Sequence, residues 1–172
     1  SRPPQDYPPL PGLDAVTWPA MHVDVEHQVR FPWPGGRHPW LDAFIETPSR
    51  IIGIESKRYE PFRSKSPASL SDAYWRDVWG DKMEPYESVR DGLLDDSIAF
   101  KHLDAVQLVK HAFGIRTEAH KTYKPAILLY LYAEPETWPD GRAIPAEALE
   151  MHRSEVLDFE ERVAGAEVSF SA

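Results

Sequence analysis

The side chains with the most chemical reach stand in two short apolar runs, 41–46 and 51–57, where Asp42, Glu55 and Lys57 sit among Leu41, Ala43, Ile45, Ile51, Ile52 and Ile54. Both runs read as strands, joined by the turn residues Thr47-Pro48-Ser49-Arg50. If the loop holds an even number of residues, Glu46 opposes Ile51 and Asp42 falls opposite Glu55, with Cβ atoms about 4.5–5.5 Å apart. Lys57, two residues beyond Glu55, shares that face through the period of two along a strand. An odd-numbered or bulged loop would break the pairing. Two carboxylates that face each other destabilise a sheet unless a cation sits between them, and Mg²⁺ characteristically takes one or two carboxylates together with waters and phosphate oxygens. A lysine at such a site can orient or deprotonate a water, or offset charge building on a phosphate. The competing reading is a solvated hairpin in which Lys57 simply pairs with a carboxylate. The apolar neighbours argue against a solvated patch, and Glu55-Ser56-Lys57 is the only acidic-x-Lys triplet in the chain.

Other elements must hold this hairpin. Ala20 to Gln28 is ambiguous: His22-Val23-Asp24-Val25-Glu26 alternates like a strand, while Pro19 could open a short helix. Val29 to Phe31 reads as the start of a strand before the turn-rich Pro32-Trp33-Pro34-Gly35-Gly36. Residues 58–92 fit no single pattern. A helix is expected from about Ile98 to Phe113, stopped by Gly114. Ala126–Ala133 lacks polar alternation and reads as a strand buried on both faces. A last helix is expected over about Pro145 to Ala164 with Gly165 beyond it, then a strand at Val168–Phe170. The sum is an α/β fold, a mixed β-sheet flanked by α-helices. At 172 residues it forms one domain over 20–172, preceded by a proline-rich arm over 1–19.

His38-Pro39-Trp40-Leu41-Asp42 followed by Ile51-Ile52-Gly53-Ile54-Glu55-Ser56-Lys57 resembles the PD-(D/E)XK signature of restriction endonuclease-like proteins, especially the bacterial families described as restriction endonucleases of unknown target. The signature's proline is displaced, Pro39 standing three residues before Asp42. The resemblance covers about residues 20–135. It implies a restriction endonuclease-like fold and a Mg²⁺-dependent nuclease, with Mn²⁺ able to substitute, acting on nucleic acid and first of all on DNA. It assigns Asp42 and Glu55, with Ser56, to the metal and Lys57 to the water. Members often carry a glutamate on a helix ahead of the hairpin, for which Glu26 is the candidate, and a glutamine on the following helix, for which Gln107 stands. Gln107 and His111 lie one turn apart on one helix face, with Lys110 beside them. Many such enzymes act as homodimers.

Further along, Arg58, Arg63 and Lys65 alternate with Tyr59 and Phe62, a pattern suited to phosphates and stacked bases and equally to an ordinary charged loop. Tyr74, Trp75, Trp79 and Tyr86, with Arg76 and Lys82, read as satellite core, with a lid or specificity insert as the functional reading.

The formal net charge of −9 lowers the expectation of tight non-specific DNA binding, though it leaves room for a local basic groove. With no cysteine, disulfides, thiolate zinc sites and cysteine nucleophiles are excluded, and a cytoplasmic setting fits. No secretory segment is apparent and the longest apolar run is too short to cross a bilayer. The seven histidines show no His-x-x-x-His spacing, and phosphate-loop and Gly-x-Ser-x-Gly patterns are lacking. Two readings compete with the nuclease: a catalytically silent nuclease-fold module for binding or assembly, and hydrolysis of a phosphate ester other than nucleic acid.

Overall fold

The computed structural model describes residues 10, 13, 16–64 and 69–172. Lys65 and most of the proline-rich arm lie outside them. The chain forms β1 His22–Gln28, β2 Trp40–Glu46, β3 Ile51–Lys57, α1 Glu84–Leu94, α2 Ala105–Thr122, β4 Ala126–Tyr132, α3 Ala146–Arg162 and β5 Val168–Ser171. The five strands make one sheet in sequence order, antiparallel from β1 to β3 and parallel from β3 to β5. The expected mixed α/β architecture is present. None of the helices is long and apolar enough to cross a membrane, among the described residues.

The β2–β3 turn is the tight one that the spacing required. Thr47 Oγ1 donates to the Arg50 carbonyl (3.0 Å) and accepts from the amides of Ser49 and Arg50, closing a four-residue loop so that Glu46 faces Ile51. β3 is buried on both faces. Ile51 and Gly53 meet the helices, whereas Ile52 and Ile54 join a second apolar cluster on the other side. Gly53 lets α2 come close: a Cβ there would stand 2.6 Å from Ile115 Cδ1 and 2.9 Å from Leu41 Cδ1. His111, one turn before Ile115, is thereby brought over Glu55, two residues beyond Gly53.

Several boundaries differ from expectation, each for a local reason. The ambiguous segment is a strand, and it ends at Gln28. Val29 and Phe31 are not strand but buried anchors, their amides taken by the Pro39 carbonyl (3.1 Å) and His38 Nδ1 (3.2 Å). Glu26 therefore stands on an exposed strand and not on a helix. α2 begins at Ala105, not Ile98, because the Asp104 carboxylate caps it by accepting the Gln107 amide at 3.0 Å. Nor does Gly114 end it. The helix runs on to Thr122, and Gly114 is needed because a Cβ there would lie 2.3 Å from Val29 Cγ2 and 3.2 Å from Pro39 Cγ. Among the described residues, the stretch 58–92 holds three short 3₁₀ turns and most of α1. Tyr74, Trp79 and Tyr86 are buried in the core, the first of the two readings, with Trp75 packed against it and Trp79 stacked on Phe113 at 4.3 Å between ring centroids.

All three helices pack on one face of the sheet. The other carries Ile45, Ile52, Ile54, Ile127 and Leu129, covered by Leu13 and Val16 with Leu10 and Ala20. The lead-in segment therefore contributes to a core.

Candidate active site

The site lies where the β2–β3 ladder stops. The last bridge joins Ala43 to Ile54, and one step further Asp42 and Glu55 hold facing positions without a bridge. The Asp42 carboxylate instead accepts the Ser56 amide, N to Oδ2 2.6 Å. On the opposite edge of β3 the Lys57 carbonyl accepts the Ala133 amide at 2.9 Å. By strand alternation the Ser56 carbonyl then points with its amide toward β2, into the gap where Asp42 sits. Asp42 and the Ser56 backbone thus meet close to Glu55.

Glu55 is buried, 1% exposed. The Lys57 ammonium pairs with Oε1, and His111 Nδ1 stands 3.3 Å from Oε2. Neither contact has hydrogen-bond alignment, so both buried carboxylate oxygens lack an aligned donor. Burial pushes the Glu55 carboxyl up to about 7; Lys57 works against this, while the Asp42 and Asp104 charges add to it. His111 is driven the other way, down to about 3, first by burial and then by Lys57 and Lys110, against a hydrogen bond to the Trp40 backbone. At neutral pH the imidazole is uncharged. No cluster of three or more His, Asp or Glu side chains suited to a metal occurs among the described residues. Two carboxylates and a backbone oxygen could contribute to the shell of an ion that keeps waters and substrate oxygens.

Of Asp42, Glu55, Ser56 and Lys57, Lys57 borders a trough of adjoining cavities. Lys57, Gln107, Asp104, His102 and Tyr130 line a cavity of about 280 Å³. Asp104 and Gln107 also border a groove of about 880 Å³ that holds Arg37, Trp40, Lys110 and His111. On the other side Arg63 links the central cavity to two outer grooves. The α2 end of the trough is held firmly, since the Glu155 carboxylate accepts the amides of Lys101, His102 and Leu103 (2.7–2.8 Å) and His102 Nδ1 meets the Pro61 carbonyl (2.8 Å).

Of the residues singled out from sequence, Asp42, Glu55, Ser56 and Lys57 come together and Gln107 lines the same cavity. Glu26 is exposed on β1, with φ of 51° at the point where the β1–β2 register would set it across from Asp42. Lys110 borders the wider groove, its ammonium donating to the Ser69 carbonyl at 3.0 Å. His111 is buried behind Glu55 rather than displayed on a surface, because its helix face turns to the sheet. Arg63 lines the cavity, and Arg58 is exposed with its guanidinium over Tyr59. Two residues had not been singled out. Asp104 belongs to Asp104-Ala105-Val106-Gln107, an N-cap followed three residues later by Gln, which is a readable helix-start signal. Tyr130 faces Glu55 only through the parallel β3–β4 register. Its hydroxyl meets His152 Nε2 at 3.0 Å, and burial keeps the phenol protonated.

No family model, curated protein or solved structure matches the chain.

Proposed function

We propose that this chain is a restriction endonuclease-like, Mg²⁺-dependent phosphodiesterase acting on nucleic acid, DNA before RNA. The observation that carries the reading is Glu55: a carboxylate 1% exposed, paired with Lys57 and set beside a second carboxylate, with Lys57 lining the adjoining cavity. A site of that kind is costly to keep unless it serves a ligand. Asp42, Glu55 and the Ser56 carbonyl would hold the ion, which supplies an acidified water and offsets charge on the phosphate. The chain's own groups do the rest. The Lys57 ammonium donates toward the attacking water or a phosphate oxygen once Glu55 is drawn to the cation. The Gln107 amide binds a phosphate oxygen from the α2 side of the cavity. Tyr130 offers a protonated hydroxyl at the wall, steadied by His152. His111, uncharged and buried, packs beside the Glu55 carboxylate and keeps water out.

Incubation of the protein with single- and double-stranded DNA and RNA in Mg²⁺ or Mn²⁺ tests this. Cleavage that disappears in Glu55→Ala and Lys57→Ala is the expected result, and no cleavage under any condition, or equal cleavage by the variants, would overturn it. A second reading, a catalytically silent module on the same fold, is favoured by one observation: Lys57 already occupies Glu55 Oε1 as an ion pair. Calorimetric titration with Mn²⁺ separates the two, because a stoichiometric site lost in Asp42→Ala belongs to the enzyme.

A further inference from the structure

Just outside the carboxylate site lies a cluster that belongs to neither apolar core. The rings of Tyr59 and Trp138 are stacked, with centroids 5.6 Å apart and planes 20° from parallel. A guanidinium stands over each ring: Arg58 lies 5.1 Å from the Tyr59 centroid and Arg63 5.9 Å from that of Trp138. Both rings are half-buried. Neither guanidinium is in an ion pair among the described residues.

The shelf is built in advance of any ligand. Trp138 sits on a small hairpin closed by a bridge between Thr137 and Ala143, by Trp138 N to the Arg142 carbonyl (2.8 Å) and by Gly141 N to the Trp138 carbonyl (2.9 Å). The Asp140 carboxylate takes the Arg142 amide and Nε, fixing the tip. Tyr59 is held from below, its amide and that of Arg58 donating to the Glu60 carboxylate (2.9 and 2.8 Å). Such pre-ordering lowers what a partner's binding must spend on entropy.

Its position matters as much as its build. Tyr59 follows Lys57 by two residues, at most about 7 Å of chain. Arg63 and Ser64 line both the cavity that holds Lys57, Gln107 and Tyr130 and an outer groove of about 490 Å³ that holds Trp138. A chain leaving the carboxylate site therefore runs directly onto the shelf.

The geometry points to a stacking subsite for an unpaired nucleobase on the Trp138 ring, which Arg63 uncovers as it and Arg58 move onto the adjoining phosphates, so that the trough accepts a single-stranded or frayed segment in preference to an intact duplex. Aromatic faces and guanidinium ions in alternation suit single strands, because every base offers a π face and each link a phosphate. In a duplex those faces are hidden in the stack. The charge of the whole chain, −9, points the same way. Duplex binding commonly draws on many phosphate contacts, whereas a short strand held by stacking needs only a few cations.

This inference rests on reading the trough as a site for a phosphodiester polymer, but not on cleavage, so it is tested without metal. Binding of fluorescein-labelled oligo-dT, the same length of RNA, and a blunt duplex is followed by anisotropy in EDTA. The intact protein is expected to bind the single strands more tightly than the duplex. Trp138→Ala should weaken single-strand binding at least about tenfold, with Trp138→Phe recovering most of it. Arg63→Gln should weaken it and lower its salt dependence. Because Trp138 lies outside both cores, an unchanged melting temperature in these variants shows that they fold. Single-strand binding that survives Trp138→Ala, a preference for the duplex, or no binding of any oligonucleotide would overturn the subsite. If the intact protein binds strands but Mn²⁺ produces no cleavage, the shelf stands and the nuclease reading falls.

Discussion

At the residue scale, Glu55 concentrates the energetics of the site. Its carboxyl is pushed from an ordinary 4.5 up to about 7 by burial, so the folded protein holds a proton that the unfolded chain releases. The consequence has a definite sign. Below about pH 4.5 both states are protonated and the group costs nothing; between about 4.5 and 7 the unfolded chain loses its proton first, and the fold is progressively penalised. Above 7 the full penalty, on the order of 3 kcal/mol, is present. Urea denaturation of the metal-free protein should show stability falling as pH rises across that window, and Glu55→Gln should flatten the slope and melt several degrees higher at pH 8. Equal slopes in the two proteins would mean that Glu55 is not held as described. A divalent ion requires the ionised form, so its apparent affinity should rise over the same interval.

At the element scale, the close approach of α2 to the sheet and to the β1–β2 connection sets where His111, Gln107 and Asp104 stand. Gly114 makes this approach possible. In an isolated helix Gly→Ala is stabilising by about 1 kcal/mol. Here the new methyl would meet Val29 Cγ2 at 2.3 Å, Val29 Cβ at 3.1 Å and Pro39 Cγ at 3.2 Å, all on stiff side chains. Gly114→Ala should therefore destabilise by about 1–3 kcal/mol in spite of propensity, read as a lower urea midpoint. A rise in the midpoint would show that the helix is free to shift. The same glycine shows why sequence misplaced the end of the helix: glycine is both the commonest stop signal and a means of close packing, and only the neighbour across the gap tells which.

At the scale of the molecule, one sheet carries two unequal coats. Three helices cover the face that holds the site, while Leu13 and Val16, 1% and 7% exposed, help cover Ile45, Ile52, Ile54, Ile127 and Leu129 on the other. The site depends on both, because β3 runs between them. Leu13→Ala should cost about 2–4 kcal/mol in a single cooperative unfolding transition. A loss below about half a kcal/mol would return the lead-in segment to the status of a tether.

The hairpin, its four-residue turn and the meeting of Asp42, Glu55, Ser56 and Lys57 were legible in the chain itself, because strand periodicity and turn chemistry act over a few neighbouring residues and leave little choice of partner. The doubly apolar run of β4 and the final helix were legible for the same reason. What only the tertiary structure decided depends on contacts between distant segments: His111 beside Glu55 through Gly53, Tyr130 across from Glu55 through a parallel register, and Trp138 on Tyr59. Parallel pairing and helix-on-sheet packing join residues far apart in sequence, and no local pattern records which neighbours they will meet.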